Sequence, residues 1–233
     1  MSENGHARLR RLSSVLEATR ESDPAQGVCR ASVDALGVSG ASLMVMTDGL
    51  PSPLGWSDAV AFRLEDLQQT LGEGPSVEAH ESGRSVSEPD LANPRRRRWI
   101  AFSTAASDAG ARALFSFPLR LGAVRLGALT LYQATSGDLS AQQHADAQAV
   151  AEVAVNAILT TQAGAPGDSL SPDLEALAGY SATLHQAAGM VSVQLDVGVG
   201  EAIVRLRGYA FSINRTLAQV AADIVARRLR LDG

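Results

Sequence analysis

Past residue 169 the chain offers no strand signal, whereas ahead of it short β-compatible runs are interspersed with helical ones. That asymmetry constrains the fold most, because a mixed first part and a purely helical second part exclude one continuous βαβ plan. Leu9, Leu12, Val15, Leu16 and Thr19 recur at helical spacing. Asp23-Pro24 then opens a second helix to about Leu36, with Asp23 as N-cap and Pro24 at N1. Ala41 to Thr47 is short, apolar strand text that ends at the Asp48-Gly49 turn. Ala113 to Leu119 and Leu126 to Gln133, joined through 121–124, read as a hairpin. Ser140, three residues ahead of Gln143, starts a helix to about Thr161 with Ala145, Ala149, Val153 and Ala157 on one stripe. The middle reads as loop-rich, with helix starts at Pro75 and after the arginine run at 95–98.

The expected fold class is therefore α+β: an antiparallel sheet with flanking helices over residues 1–162, then an all-α bundle over 170–233. Between them, 163–169 is a linker of small and turn-forming residues. The tail reads as three helices. The first runs from about Pro172 to Leu195 with Leu177, Tyr180, Leu184, Ala187, Ala188 and Val191 inward. The second starts near Val199 with Ala202, Ile203, Leu206 and Ala210 inward, and the third turns Leu217, Val220, Ala221 and Ile224 inward. So short a bundle is marginal alone and gains from a neighbour.

Of the 233 residues 45% are hydrophobic, which excludes a wholly disordered chain, and the net charge of −5 excludes a globally basic nucleic-acid binder. All 20 basic residues are Arg, so arginine enrichment alone says little about phosphate binding. Divided at the linker, residues 1–169 hold 19 acids and 14 Arg, and 170–233 hold six of each. From 201 onward, Arg205, Arg207, Arg215, Arg227, Arg228 and Arg230 face only Glu201, Asp223 and Asp232, a local +3. Arg227, Arg228 and Arg230 read mainly as cations in a last helical turn. Arg205 and Arg207 flank Leu206 on opposite sides, so one helix cannot present both to one phosphate. Arg95 to Arg98 form a run that could mark a nucleic-acid or anion patch, but they sit among acids and read as a solvated loop and helix start.

No secretory leader and no stretch of about 20 apolar residues is present, so a cytoplasmic protein without membrane partner is expected. Cys29 has no cysteine partner and is expected to be buried and inert. The four histidines lie far apart with no metal-ligand spacing, and neither a G-x-S-x-G elbow nor a Walker loop occurs. Glu65-Asp66 are adjacent and do not converge on one helix face. No metal, cofactor or catalytic residue is expected, and hence no enzyme.

Two sets of motifs carry a family resemblance. Pro53-Leu54-Gly55-Trp56-Ser57-Asp58, Leu71-Gly72-Glu73-Gly74-Pro75-Ser76, Ser87 to Leu91 and Ala113 to Tyr132 resemble the GAF sensory domains of actinobacterial regulators. In the tail, His185 to Leu195, Glu201-Ala202, Leu206-Arg207 through Asn214 and Val220-Ala221 resemble an ANTAR domain. The resemblance implies an antiparallel-sheet sensor whose cavity accepts a small ligand of unread identity, dimerising through flanking helices. It also implies a three-helix domain that binds paired RNA hairpins in nascent transcripts and prevents a terminator from forming. Two positions depart from these families. Ser76 stands where a Cys often follows the Gly-Pro, removing thiol chemistry there. Ala188 stands where a basic residue often precedes the helix Gly, shifting RNA contact toward other arginines.

The expected function is thus a signal-responsive, homodimeric RNA-binding antitermination regulator. Its candidate RNA contacts are Ala188, Gly189, Arg205, Arg207, Tyr209, Asn214 and Arg215, with Phe211 and Tyr180 as further aromatic candidates for stacking. Trp56, Phe115 and Phe117 are ligand-pocket candidates, with core filling as their alternative. The rival functions are a protein-interaction or dimerisation bundle in the tail, and a DNA-binding regulator. The tail lacks a basic, polar helix suited to a major groove.

Overall fold

The computed structural model of the protein describes residues 12–231 apart from 22, 48–49, 95–97 and 164–171. Leu9, the Asp48-Gly49 turn, Arg95 to Arg97, most of the linker and the side chain of Leu177 lie outside the described residues. Helix α1 (12–18) leads into α2 (Pro24–Leu36). The Asp23 carboxylate accepts from the Gln26 amide at 3.0 Å, Pro24 fills the first turn, and Gly37 closes the helix in the left-handed region at φ 63°. The expected cap is therefore present atom for atom.

Strands β1 (Gly40–Thr47), β2 (Leu50–Trp56), β3 (Val86–Glu88), β4 (Ala113–Leu121) and β5 (Val124–Gln133) form one five-stranded sheet in the order β2-β1-β5-β4-β3. Every neighbouring pair is antiparallel. The middle of the chain is far less loop-rich than expected. It holds β2, β3 and the helices α3 (Ala59–Leu71), α4 (Pro75–Ser82) and α5 (Ile100–Asp108). Pro51 and Pro53 argue against a strand only in a sheet interior, and β2 lies at the edge.

Alternation along the strands sends side chains to two cores. Leu43, Phe115, Phe117, Leu119, Leu129 and Leu131 pack beneath α2 and α6 (Ala141–Ala163). Met44, Leu114, Ala128 and Tyr132 point the other way, toward Leu64 and Leu67 of α3 and Phe102 of α5. Helix α6 opens with the expected reciprocal pair, Ser140 and Gln143 each accepting from the other's backbone N–H. Its buried apolar residues are Ala147, Val150, Ala151, Ala154, Val155 and Ala157; of the expected stripe Ala157 is buried and Val153 packs against the core, while Ala145 is exposed, a correction to the phase of the first turns. In so alanine-rich a helix several stripes look alike, and packing chooses among them.

The tail folds as α7 (Pro172–Leu195), α8 (Val199–Ser212) and α9 (Leu217–Val225). Leu184, Ala187, Ala188, Val191, Ala202, Leu206, Ala210, Leu217, Val220, Ala221 and Ile224 form a third core, as the spacing requires. Helix α9 is held by a capping box, Thr216 with Gln219. It ends at Val225, so Arg227, Arg228 and Arg230 lie past the helix and not in its last turn. Helix α8 packs on α3, and α7 lies against β1 and β2. Among the described residues no single helix is long and apolar enough to cross a membrane.

Candidate functional site

Two places combine unusual burial with polar chemistry. The first lies under the sheet. Helix α3 turns Ala61, Leu64, Glu65, Gln68 and Gln69 inward, an i, i+3, i+4 stripe whose second half is polar. Glu65, 1% exposed, sits opposite the strand residues Ser42, Ser116 and Thr130, which share the sheet face of Met44 and Leu114. The Ser42 hydroxyl donates to Glu65 Oε1 at 2.9 Å, and the Ser76 hydroxyl donates to Oε2 at 3.0 Å. Thr130 and Ser116 hydroxyls bond each other at 2.9 Å.

The Leu71 to Ser76 loop brings Ser76 there. Gly72 ends α3 at φ 68°, Gly74 takes φ 136°, and α4 begins at Pro75. No side chain of Gly74 can cap α4, so Gln68 Oε1 accepts from the Ser76 N–H at 2.7 Å instead. The amide nitrogen of Gln68 and the hydroxyls of Ser52 and Thr70 are buried without a hydrogen-bond partner among the described residues. Burial pushes the Glu65 carboxyl above its ordinary value of 4.5, and the hydrogen bonds from Ser42 and Ser76 only partly oppose it. A buried acid among hydroxyls and an amide accepts hydrogen bonds and, when protonated, also gives one. It is not an adjacent nucleophile and base. Among the described residues no cluster of three His, Cys, Asp or Glu could hold a metal ion.

The pocket candidates are not gathered at this cluster. Phe115 and Phe117 fill the core on the opposite face of the sheet, beneath α2 and α6. Trp56 is half-buried on the α3 side, its ring tilted against Phe62 at 4.8 Å. Sequence reasoning missed Glu65, because a carboxylate pair adjacent in sequence looks unproductive until the helix phase is known. Cys29 is fully buried, and its burial raises the thiol above its ordinary range.

The second place is the tail and its contact with α3. Arg205 is exposed and pairs with Glu201 at 2.9 Å. Arg207, on the other side of Leu206, is half-buried against the C-terminal end of α3, so close that a Cβ on Gly72 would strike its guanidinium. Burial lowers its pKa, Tyr180 opposing. Asn214, at φ 51°, accepts from Arg63 of α3 at 2.7 Å. Arg63 in turn holds Asp66 at 2.7 Å. Arg215 and Arg228 both bind Asp223. Tyr209 and Tyr180 pack partly into the tail core, whereas Phe211 is exposed. Ala188 has no exposed surface, and Gly189 is partly open with free space around it. The candidate RNA residues therefore divide: Arg207 and Asn214 meet at α3, and Arg205 faces solvent elsewhere. Of the arginine run, Arg98 is not a free solvated cation, because it pairs with Glu78 and lies 4.0 Å from the Trp99 ring centroid.

Comparison with known proteins agrees with the sheet and its helices. The GAF domain of a phosphoenolpyruvate-protein phosphotransferase from Coxiella burnetii aligns over 69% of this chain and 98% of that one, with a TM-score of 0.55 and 16% identity. The corresponding domain from Acinetobacter aligns over 72% and 100%, with a TM-score of 0.51 and 12% identity. At such identities the likeness speaks for the fold alone. No curated protein sequence matches the chain. The GAF domain family matches residues 18–159, which span the sheet, the Glu65 cluster and most of α6, and the chain belongs to that family.

Proposed function

We propose that the chain is a signal-responsive RNA-binding regulator of transcription antitermination, cytoplasmic, homodimeric and without catalytic activity. Its sheet domain (1–162) senses a small-molecule signal, with Trp56, Phe115 and Phe117 as the pocket candidates. Its tail (170–233), following the linker 163–169, binds paired RNA hairpins. The observation that carries this reading is the tail's geometry: three helices around one core at the spacing of the ANTAR-like motif, with Arg205, Arg227 and Arg230 exposed. Dimerisation doubles a modest cationic surface and matches a two-hairpin target.

Filter binding of a synthetic two-hairpin RNA at several salt concentrations tests the reading. Affinity that falls with salt is expected, and Arg205→Ala should lose about 1 kcal/mol of it. Absent or salt-indifferent binding overturns it. The reading of the tail as a protein-interaction bundle has an observation of its own, since Val193 is 85%, Val204 64% and Phe211 41% exposed. Absence of RNA binding together with salt-indifferent self-association abolished by Val204→Ser would favour it.

A further inference from the structure

Two of the tail residues that meet α3, Asn214 and Arg207, belong to the proposed RNA-contacting set. Asn214 is bonded by Arg63, and the Arg207 guanidinium lies over the end of α3 at Gly72. That end suits a cation, because the last carbonyls of a helix carry partial negative charge. The contact is nevertheless incomplete. Arg207 Nε and the Tyr180 hydroxyl are buried without a hydrogen-bond partner among the described residues, and Asp66 is already engaged by Arg63. A guanidinium held without a bidentate acceptor can exchange this site for a phosphate that supplies one.

We propose that α3 is a latch: it occupies part of the tail's RNA-contacting face, so that docking on α3 and RNA binding exclude each other. The inference rests on the reading of the tail as an RNA binder. Helix α3 also links the latch to the signal. Glu65 joins its inner side to Ser42 and Ser76, while Arg63 of the same helix bonds Asn214 and the Gly72 cap at its end lies under Arg207. A ligand that separates Glu65 from those hydroxyls moves α3, and a shift beyond hydrogen-bond reach releases Asn214.

The test uses the full chain. Gly72→Asn keeps a residue that tolerates the left-handed backbone and places a side chain where Arg207 lies. Arg63→Ala removes the donor to Asn214. Spin labels at Val204→Cys and Glu81→Cys report docking, Cys29 being buried and unlabelled. In the Gly72→Asn/Arg63→Ala protein the label separation is expected to lengthen and broaden. The two-hairpin RNA should then bind about tenfold tighter than to the parent, and RNA should shift the parent's labels the same way. An undocked variant with unchanged, salt-sensitive RNA affinity overturns the latch and leaves the RNA reading intact. Failure of both proteins to bind RNA overturns that reading instead. Unchanged label separations in the variant overturn the role of Arg63 and Gly72 in holding the tail.

Discussion

At Glu65, burial and hydrogen bonding pull in opposite directions, and burial prevails. An acid whose pKa is raised by folding keeps its proton after the unfolded chain has released its own. Its contribution to stability is complete below the unfolded value, near 4.5, and is lost as pH rises toward the folded value. Glu65→Gln, which keeps the shape but cannot ionise, should remove that loss. Parent and variant urea stabilities are expected to diverge in the variant's favour above pH ~4.5, by up to about 1.4 kcal/mol per pH unit within the window. Parallel curves would mean that Glu65 ionises in the fold as it does in the open chain. Cys29 offers a simpler check. Its thiol is buried and held protonated. It should resist a thiol-specific reagent in the native protein and react fully in denaturant, and fast native labelling would contradict its burial.

Helix α3 depends on Asp58, whose Oδ1 accepts from the Val60 and Ala61 amides at 2.8 and 3.0 Å and from the Tyr132 hydroxyl at 3.3 Å. Asp58→Ala is expected to cost about 1–2 kcal/mol in denaturant unfolding, and Asp58→Asn much less. Equal losses would show that charge, and not the capping hydrogen bonds, holds the helix start. This same helix explains what was legible in the sequence. The α2, α7, α8 and α9 segments pair apolar periodicity with clear breaks or caps, and the β4–β5 hairpin pairs alternation with a turn, so local chemistry and tertiary packing agree. In α3 the inward stripe contains Glu65, Gln68 and Gln69, and a hydrophobic pattern cannot register a polar face whose burial is offset in part by hydrogen bonds. Strand β3 has three residues and exists only because β4 offers it an edge. The candidate site was half visible for the same reason: the tail's arginines are countable in sequence, but which of them meets α3 is decided by packing between distant elements.

For the molecule as a whole, the −5 charge resides in residues 1–169, while the last two helices and the end of the chain carry six Arg against three acids. Internal pairing reduces what the tail can offer a polyanion. Glu201 holds Arg205, and Asp223 holds both Arg215 and Arg228, whose hydrogen bonds keep its carboxyl below the usual range. Arg227 and Arg230 are exposed. A surface that neutralises about two to four phosphates gives a logarithmic salt slope of roughly −1 to −3, well short of a strongly basic binder. Asp223→Asn frees two arginines without adding any residue. It is expected to raise affinity for the two-hairpin RNA and for an unrelated single strand alike, and to steepen the slope by about 1. Isothermal titrations at four salt concentrations would read both quantities. An unchanged slope would place the RNA away from the α9 edge, and a gain confined to the two-hairpin RNA would make Asp223 a specificity determinant and not a charge brake.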